Sequence, residues 1–274
     1  SAAQSGDQTL PGRLAIRLFR LLSPPSGQDA LLDRYDAILA ISEYTQRWIR
    51  RYWRRESLVL YPRIEPVLRD DSIRRSAILT VGRFFAGNHN KKHLELIRAF
   101  QSLHDQLPGW RLHLAGAYSP TDSNADYLRS VEDAARGDGS IELHVNCSAS
   151  ELARLYRECR LYWHATGLGE DEHEHPERFE HFGITVVEAM AAGAVPLVLG
   201  AGGLPEIVRS SVDGIIWTDL DELRRDSVAL ARDPTRWQEL SERARQRAID
   251  FDSRAFERRL TQVLKQSEVA RVRD

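Results

Sequence analysis

From residue 77 onward the chain alternates short apolar runs with amphipathic segments, and that rhythm restricts the fold more than any other feature. Apolar runs stand at 78–81, 110–115, 141–145, 161–164, 195–199 and 214–217. Helical periodicity fills 93–107, 125–135, a segment opened by the capping-box pattern Ser148-x-x-Glu151, and 184–192, which Gly193 ends. A short helix is expected at 205–208. Residues 219–266 read as helical, broken by Pro234 and capped again at Ser253. Runs such as Val195-Pro196-Leu197-Val198-Leu199 show no polar alternation, so they predict strands covered on both faces. Repeated βα units of this kind predict an α/β fold, an open Rossmann-like parallel sheet with helices on both sides. Such sheets bind ligands beyond the carboxyl ends of their strands, so candidate site residues should follow strands.

Upstream the pattern is sparser. Residues 36–41 read as a buried strand, Ser42 caps a helix running to Trp53, and 57–61 reads as a strand stopped by Pro62. Residues 62–76 are Pro- and charge-rich and read as a linker. Leu14, Leu18, Leu21 and Leu22 interleave with Arg13, Arg17 and Arg20 as a basic amphipathic helix. The expected division is a partial N-terminal segment with its linker (1–76), a Rossmann-like domain (77–250) and a C-terminal helix (251–274). At about 150 residues per domain, this reads as one domain and a fraction. On that reading Ser1 is a cut edge rather than a natural beginning.

Composition narrows the partners. The net charge of −2 provides no global basic field, so no nucleic-acid partner is expected. The basic and aromatic stretch Arg47, Trp48, Arg50, Arg51, Tyr52, Trp53, Arg54, Arg55 fits an ordinary exposed helix, an anionic membrane surface or a lipid-linked acceptor. Two cysteines make no disulfide framework, which fits a reducing, cytoplasmic setting with peripheral membrane contact as an option. No apolar run approaches the roughly 18–20 residues that span a bilayer. Only Lys91, Lys92 and Lys265 are lysines among 38 basic residues, which singles out Lys91-Lys92. A lysine ammonium is a compact charge suited to phosphate.

Three loops follow strands and carry chemistry. The first runs from Gly82 through Arg83 to Lys91-Lys92 and into a helix start, a setting for a phosphate. It has neither a Walker A pattern nor a dinucleotide turn. The second leads into Glu180-His181-Phe182-Gly183-Ile184-Thr185-Val186-Val187-Glu188, with two carboxylates bracketing a helix start. The third is Gly200-Ala201-Gly202-Gly203-Leu204-Pro205-Glu206. Each loop alone is equally well a solvated βα turn. His164, His173, His175 and His181 cluster with acids in sequence, but a mobile loop is the simpler reading and no metal is expected there.

Together, Gly82-Arg83, Lys91, Glu180-x7-Glu188 with His181-Phe182-Gly183, Ala191-Ala192-Gly193 and Gly202-Gly203-x-Pro205-Glu206-Ile207-Val208 resemble the retaining GT-B glycosyltransferases of family 4 (glycosyl transferases group 1). The resemblance covers 77 to about 250, the donor-binding domain of that fold. It implies that Arg83 and Lys91 clamp a donor diphosphate. Lys91 fits the register better than Lys92, which stands where the family usually has glycine. Glu188 matches the carboxylate on the donor ribose. Glu180 matches the catalytic-side carboxylate beside the donor sugar. Phe182, Gly183, Ile184 and Thr185 lie where backbone and hydroxyl groups reach sugar and phosphate, and the 145–147 turn is a candidate base pocket. The implied activity is metal-independent transfer of a hexosyl group from a UDP- or GDP-sugar to a glycan or lipid-linked acceptor, in polysaccharide biosynthesis, without a cofactor. The alternatives are a non-catalytic nucleotide-sugar-binding module and another GT-B enzyme such as a sugar-nucleotide epimerase.

Overall fold

The computed structural model describes residues 31–65 and 74–271. The basic helix expected around Arg13, Arg17 and Arg20 lies outside them. In chain order the elements are β1 (Leu39–Ala40), α1 (Glu43–Trp53), β2 (Leu58–Val59), β3 (Arg75–Val81), α2 (His93–Gln101), β4 (Arg111–Gly116), α3 (Asp122–Ala135), β5 (Ile141–Val145), α4 (Ala149–Glu158) and β6 (Cys159–His164). There follow α5 (Ile184–Ala192), β7 (Val195–Leu199), β8 (Ile215–Trp217), α6 (Leu220–Arg232), α7 (Pro234–Ala248) and α8 (Ser253–Arg271), with single 3₁₀ turns at Pro176–Arg178, Leu204–Glu206 and Ile249–Phe251.

Six strands form one parallel sheet in the order β5-β4-β3-β6-β7-β8. The chain starts at the centre with β3, winds outward through β4 and β5, then returns to β6 and winds the other way. The α/β parallel sheet read from the sequence is therefore doubly wound, and its direction reverses between β3 and β6. A crevice opens at such a reversal because the two flanking loops leave toward opposite faces. Two apolar layers cover the sheet. One gathers Ile78, Leu96, Phe100, Leu112, Trp163 and Leu197 against α2, α3 and α6. The other gathers Leu79, Val81, Tyr162, Val186, Met190 and Val198 against α4, α5 and α7.

Several elements differ from the sequence reading. Helix α2 stops at Gln101 rather than running to 107, because Ser102 turns its hydroxyl back onto Ala99 O (2.7 Å) and His104 and Asp105 add little helical propensity. The expected strands at 36–41 and 57–61 shrink to two residues each and, among the described residues, pair in parallel only with one another. Glu206 lies in a 3₁₀ turn rather than an α-helix starting at Pro205.

The N-terminal segment is tied to the sheet by its exit. Ile64 N donates to Phe251 O (3.0 Å). Tyr61 packs on Phe182 and Phe251, with centroids 5.6 and 5.5 Å away, and Arg259 of α8 lies over the Tyr61 ring at 4.8 Å.

Candidate functional site

The loops after β3, β6 and β7 emerge side by side, since these strands are neighbours. At the reversal point, Lys91 Nζ reaches Glu180 Oε2 at 2.6 Å, and His164 Nε2 stands 2.9 Å from the same oxygen. Lys91 arrives from the loop after β3, His164 ends β6, and Glu180 precedes α5. Gly82 makes room for the lysine: a Cβ there would stand 2.3 Å from Lys91 Cγ. Burial alone would raise the Glu180 carboxyl. The hydrogen bond from His164 and the Lys91 ammonium outweigh it and hold the carboxyl well below the usual range. Glu180 is thus an anion in a nearly closed site. His164, wholly buried, is held below its ordinary value by desolvation, partly offset by Glu180.

A cleft of about 290 Å³ opens here, lined by Lys91, Glu180, Phe182, Gly183, Ile184 and Thr185 together with His89, His181, Ile41 and Pro62. Six of the eight residues named from the sequence share it. Gly183 caps α5 with φ 112°, a left-handed conformation that favours glycine, and a Cβ there would meet Leu204 Cδ2 at 2.9 Å. Thr185 Oγ1 accepts from the Tyr162 hydroxyl (2.7 Å). Phe182 is buried, so its contribution to the cleft is shape and backbone rather than an exposed ring. His181 lies edge-on to His89 (4.4 Å) and packs on Tyr44, and burial lowers the affinity of both imidazoles for a proton.

Arg83 and Glu188 stand outside that lining. Arg83 is exposed, with its guanidinium over the Phe85 ring at 5.3 Å. Glu188 Oε2 accepts from the Tyr156 hydroxyl (2.7 Å), and burial raises its carboxyl above the ordinary value. Lys92 faces elsewhere and pairs with Glu170 (2.7 Å), which also takes Arg178 (2.8 Å). In the 145–147 turn, Asn146 adopts φ 52° and its side chain bonds both Tyr118 N and Tyr118 O.

The helix starts divide by position. Helices α1, α4, α6 and α7 begin with Ser42, Ser148, Asp219 and Asp233 accepting from first-turn amides. Helices α2, α3 and α5, which follow the three strands β3, β4 and β6, begin without a side-chain cap. Their first amides have no acceptor within the helix, and the helix dipole makes this edge of the sheet suited to an anionic ligand.

Two residues outside the sequence-named set matter here. His164 was legible only as one of a histidine cluster; its companions His173 and His175 sit apart on an exposed loop. Glu206 reaches across to the N-terminal segment, accepting from Glu43 N and Tyr44 N (2.7 Å each) and from the Tyr61 hydroxyl (3.2 Å). The Gly-Gly-x-Pro-Glu spacing marked Glu206 as notable, but nothing in it indicated a partner 162 residues away.

The depressed Glu180 carboxyl has a measurable sign. Its ordinary value is 4.5. It therefore adds stability at pH values above about 4.5 and loses it progressively as the pH falls below that. In urea titrations the stability advantage of wild type over Glu180→Gln should begin to shrink near pH 4.5 and go on shrinking through pH 3 without vanishing there. A gap that stays constant over that window would mean the carboxylate is not held as described.

The profile of the family "Glycosyl transferases group 1" matches residues 73–248. The GDP-Man:Man(3)GlcNAc(2)-PP-Dol alpha-1,2-mannosyltransferase of Dictyostelium discoideum is 22% identical over 246 residues, covering 83% of this chain and 46% of its own length. The GDP-mannose:cellobiosyl-diphosphopolyprenol alpha-mannosyltransferase of Xanthomonas campestris is 26% identical over 165 residues, covering 60% of this chain and 37% of its own. The chain thus spans less than half the length of either relative. Among solved structures, Anabaena Alr3699/HepE in complex with UDP-glucose superposes with a TM-score of 0.70 at 18% identity, over 93% of this chain and 69% of that one. That likeness bears out the GT-B architecture. No described helix is long and apolar enough to cross a membrane. With the profile covering well over half of the sequence, the chain belongs to the glycosyl transferases group 1 family.

Proposed function

We propose that the crevice between β3 and β6 binds a nucleotide-diphosphate sugar, and that the chain is the donor side of a retaining, metal-independent glycosyltransferase of family 4. The observation that carries this reading is the Lys91–Glu180–His164 contact at the strand reversal, beside the uncapped start of α5. Cleaving the anomeric bond moves negative charge onto the departing diphosphate. Lys91, Arg83 and the first amides of α5 supply positive potential at that place, which stabilises the transition state more than the ground state. These groups do the work of a metal ion, so a chelator leaves donor binding intact. Glu180, kept ionised, orients the sugar hydroxyls and faces the positive charge that grows at the anomeric carbon. His164, buried behind it, fixes the carboxylate's position.

GDP-mannose is the favoured donor, because both curated relatives are mannosyltransferases named for it. Both names also carry a lipid diphosphate acceptor, which fits an acceptor presented at a membrane surface beside the basic, aromatic face of α1. There Trp48 stacks on the exposed Tyr52 (5.3 Å), with the Arg51 guanidinium over the Trp48 ring at 5.2 Å.

Glu188 is assigned to the donor ribose, with Tyr156 holding Oε2 and Oε1 outside that bond. Glu188→Ala should weaken GDP-mannose binding by about 10- to 100-fold in calorimetry, the loss of hydrogen bonds to a charged acceptor. Unchanged affinity would remove the ribose role.

A further inference from the structure

On the outer edge of the sheet, two strands from the crevice, three ligand-type side chains converge. In-register pairing sets His113 of β4 opposite Glu142 of β5, and His144, two residues along β5, points to the same face. His113 Nδ1 is 3.0 Å from His144 Nε2, and Glu142 Oε2 is 3.5 Å from the first and 3.7 Å from the second. A point about 2.0 Å from all three atoms exists, which matches zinc–nitrogen and zinc–carboxylate bond lengths of about 2.0–2.2 Å.

The surroundings fix these groups. The two imidazoles are only 10% and 9% exposed. Glu151, in the first turn of α4, lies 3.0 Å from His144 Nδ1. A carboxylate bonded to the far nitrogen is how proteins orient a metal-binding histidine, and it favours the tautomer whose Nε2 carries a free lone pair. This also explains a departure from the sequence reading. Ser148 Oγ accepts from Glu151 N, but the Glu151 carboxylate goes to His144 instead of completing the capping box. Arg111 engages Glu142 Oε1, which leaves Oε2 as the atom nearest the two histidines. A hydrogen bond shared by the imidazoles accounts for the 3.0 Å contact. It does not account for Glu142 Oε2, whose distances are too long for good hydrogen bonds yet complete the ligand triangle.

We propose that His113, Glu142 and His144 bind one divalent transition-metal ion of the zinc class, with Glu151 orienting His144 and the remaining position taken by water. Two neutral imidazoles and one carboxylate favour such an ion over magnesium, which prefers an all-oxygen shell. The ion pins edge strand β5 to β4 and to the first turn of α4. It takes no part in the crevice chemistry.

The test uses the full chain without a histidine tag, stripped with a chelator and dialysed. Calorimetric titration with zinc chloride should give one ion per chain with a Kd in the micromolar range or below. Thermal scans at about 100 times that Kd should raise Tm by about 5 °C or more, while magnesium shifts nothing. His144→Gln and Glu142→Gln should each weaken zinc binding at least tenfold, and His173→Asn with His175→Asn should leave it unchanged. Glu142 is partly exposed, so its glutamine variant decides the matter if the His144 variant does not fold. Absence of saturable zinc binding by the folded wild type overturns the proposal. So does affinity that survives Glu142→Gln or disappears with the loop histidines.

Discussion

Replacing Arg83 and Lys91 together by alanine is expected to weaken nucleotide-sugar binding by on the order of 10³-fold while leaving nucleoside affinity within about threefold. Each charge-assisted bond to a phosphate oxygen contributes about 1.5–3 kcal/mol, so losing two gives about 10²- to 10⁴-fold in Kd. The nucleoside has no phosphate and should not register the change. Lys91 has a second role that the test must separate. It neutralises Glu180 in a nearly closed site, and removing one partner of such a pair leaves a charge without compensation. A double-mutant cycle with Glu180→Gln resolves this. If Lys91→Ala acts through the diphosphate, its effect on donor binding persists in the glutamine background. If it acts only by stranding Glu180, the effect largely vanishes there. Equal losses for nucleotide sugar and nucleoside would refute the clamp.

Glu206→Ala should lower Tm by roughly 4–16 °C. Its carboxylate accepts from two backbone amides at the start of α1 and from Tyr61. Burial raises the carboxyl, and the amides of Glu43 and Tyr44 and the Tyr61 hydroxyl partly offset it, so the group sits in a site where water is a poor substitute. Losing these bonds costs about 2–4 kcal/mol, and a chain of this size loses roughly 2–4 °C per kcal/mol. The consequence is local as well. Glu206 joins the loop after β7 to the N-terminal segment, and Gly203 beside it packs on the backbone of the Glu180 segment: Gly203 N donates to Glu180 O (2.8 Å). The alanine variant should therefore also bind donor more weakly. Glu206→Gln, which keeps an acceptor, should recover part of both losses. A Tm within about 2 °C of wild type would mean that solvent satisfies the α1 amides unaided.

The sheet was legible because its strands are covered on both faces, so 78–81, 161–164 and 195–199 stand out as apolar runs without alternation. The loops were legible because a doubly wound sheet confines ligand contacts to strand ends, and Lys91, Glu180 and Gly183 all follow strands. Pairings across the sequence were not. Lys91 and Glu180 are 89 positions apart, and Glu206 and Glu43 are 163. Nothing local distinguishes a glutamate that meets a lysine from one that faces water. Strand register is equally silent: His113 and His144 share a face only because β4 and β5 pair in parallel with His113 opposite Glu142. The overlong reading of α2 has a different origin. Its apolar residues continue to Leu103 and Leu107, both buried, so hydrophobic spacing persists through turns that are no longer helical.

The most direct measurement is calorimetric titration of the full chain with GDP-mannose and UDP-glucose, alongside the corresponding nucleoside diphosphates and nucleosides. The expected result is one saturable site per chain for a nucleotide sugar and its diphosphate, much weaker binding of the nucleoside, and loss of that site in the Arg83→Ala, Lys91→Ala double variant. No saturable binding of either nucleotide sugar up to millimolar concentration, or binding that the double variant retains in full, would contradict a donor site between β3 and β6.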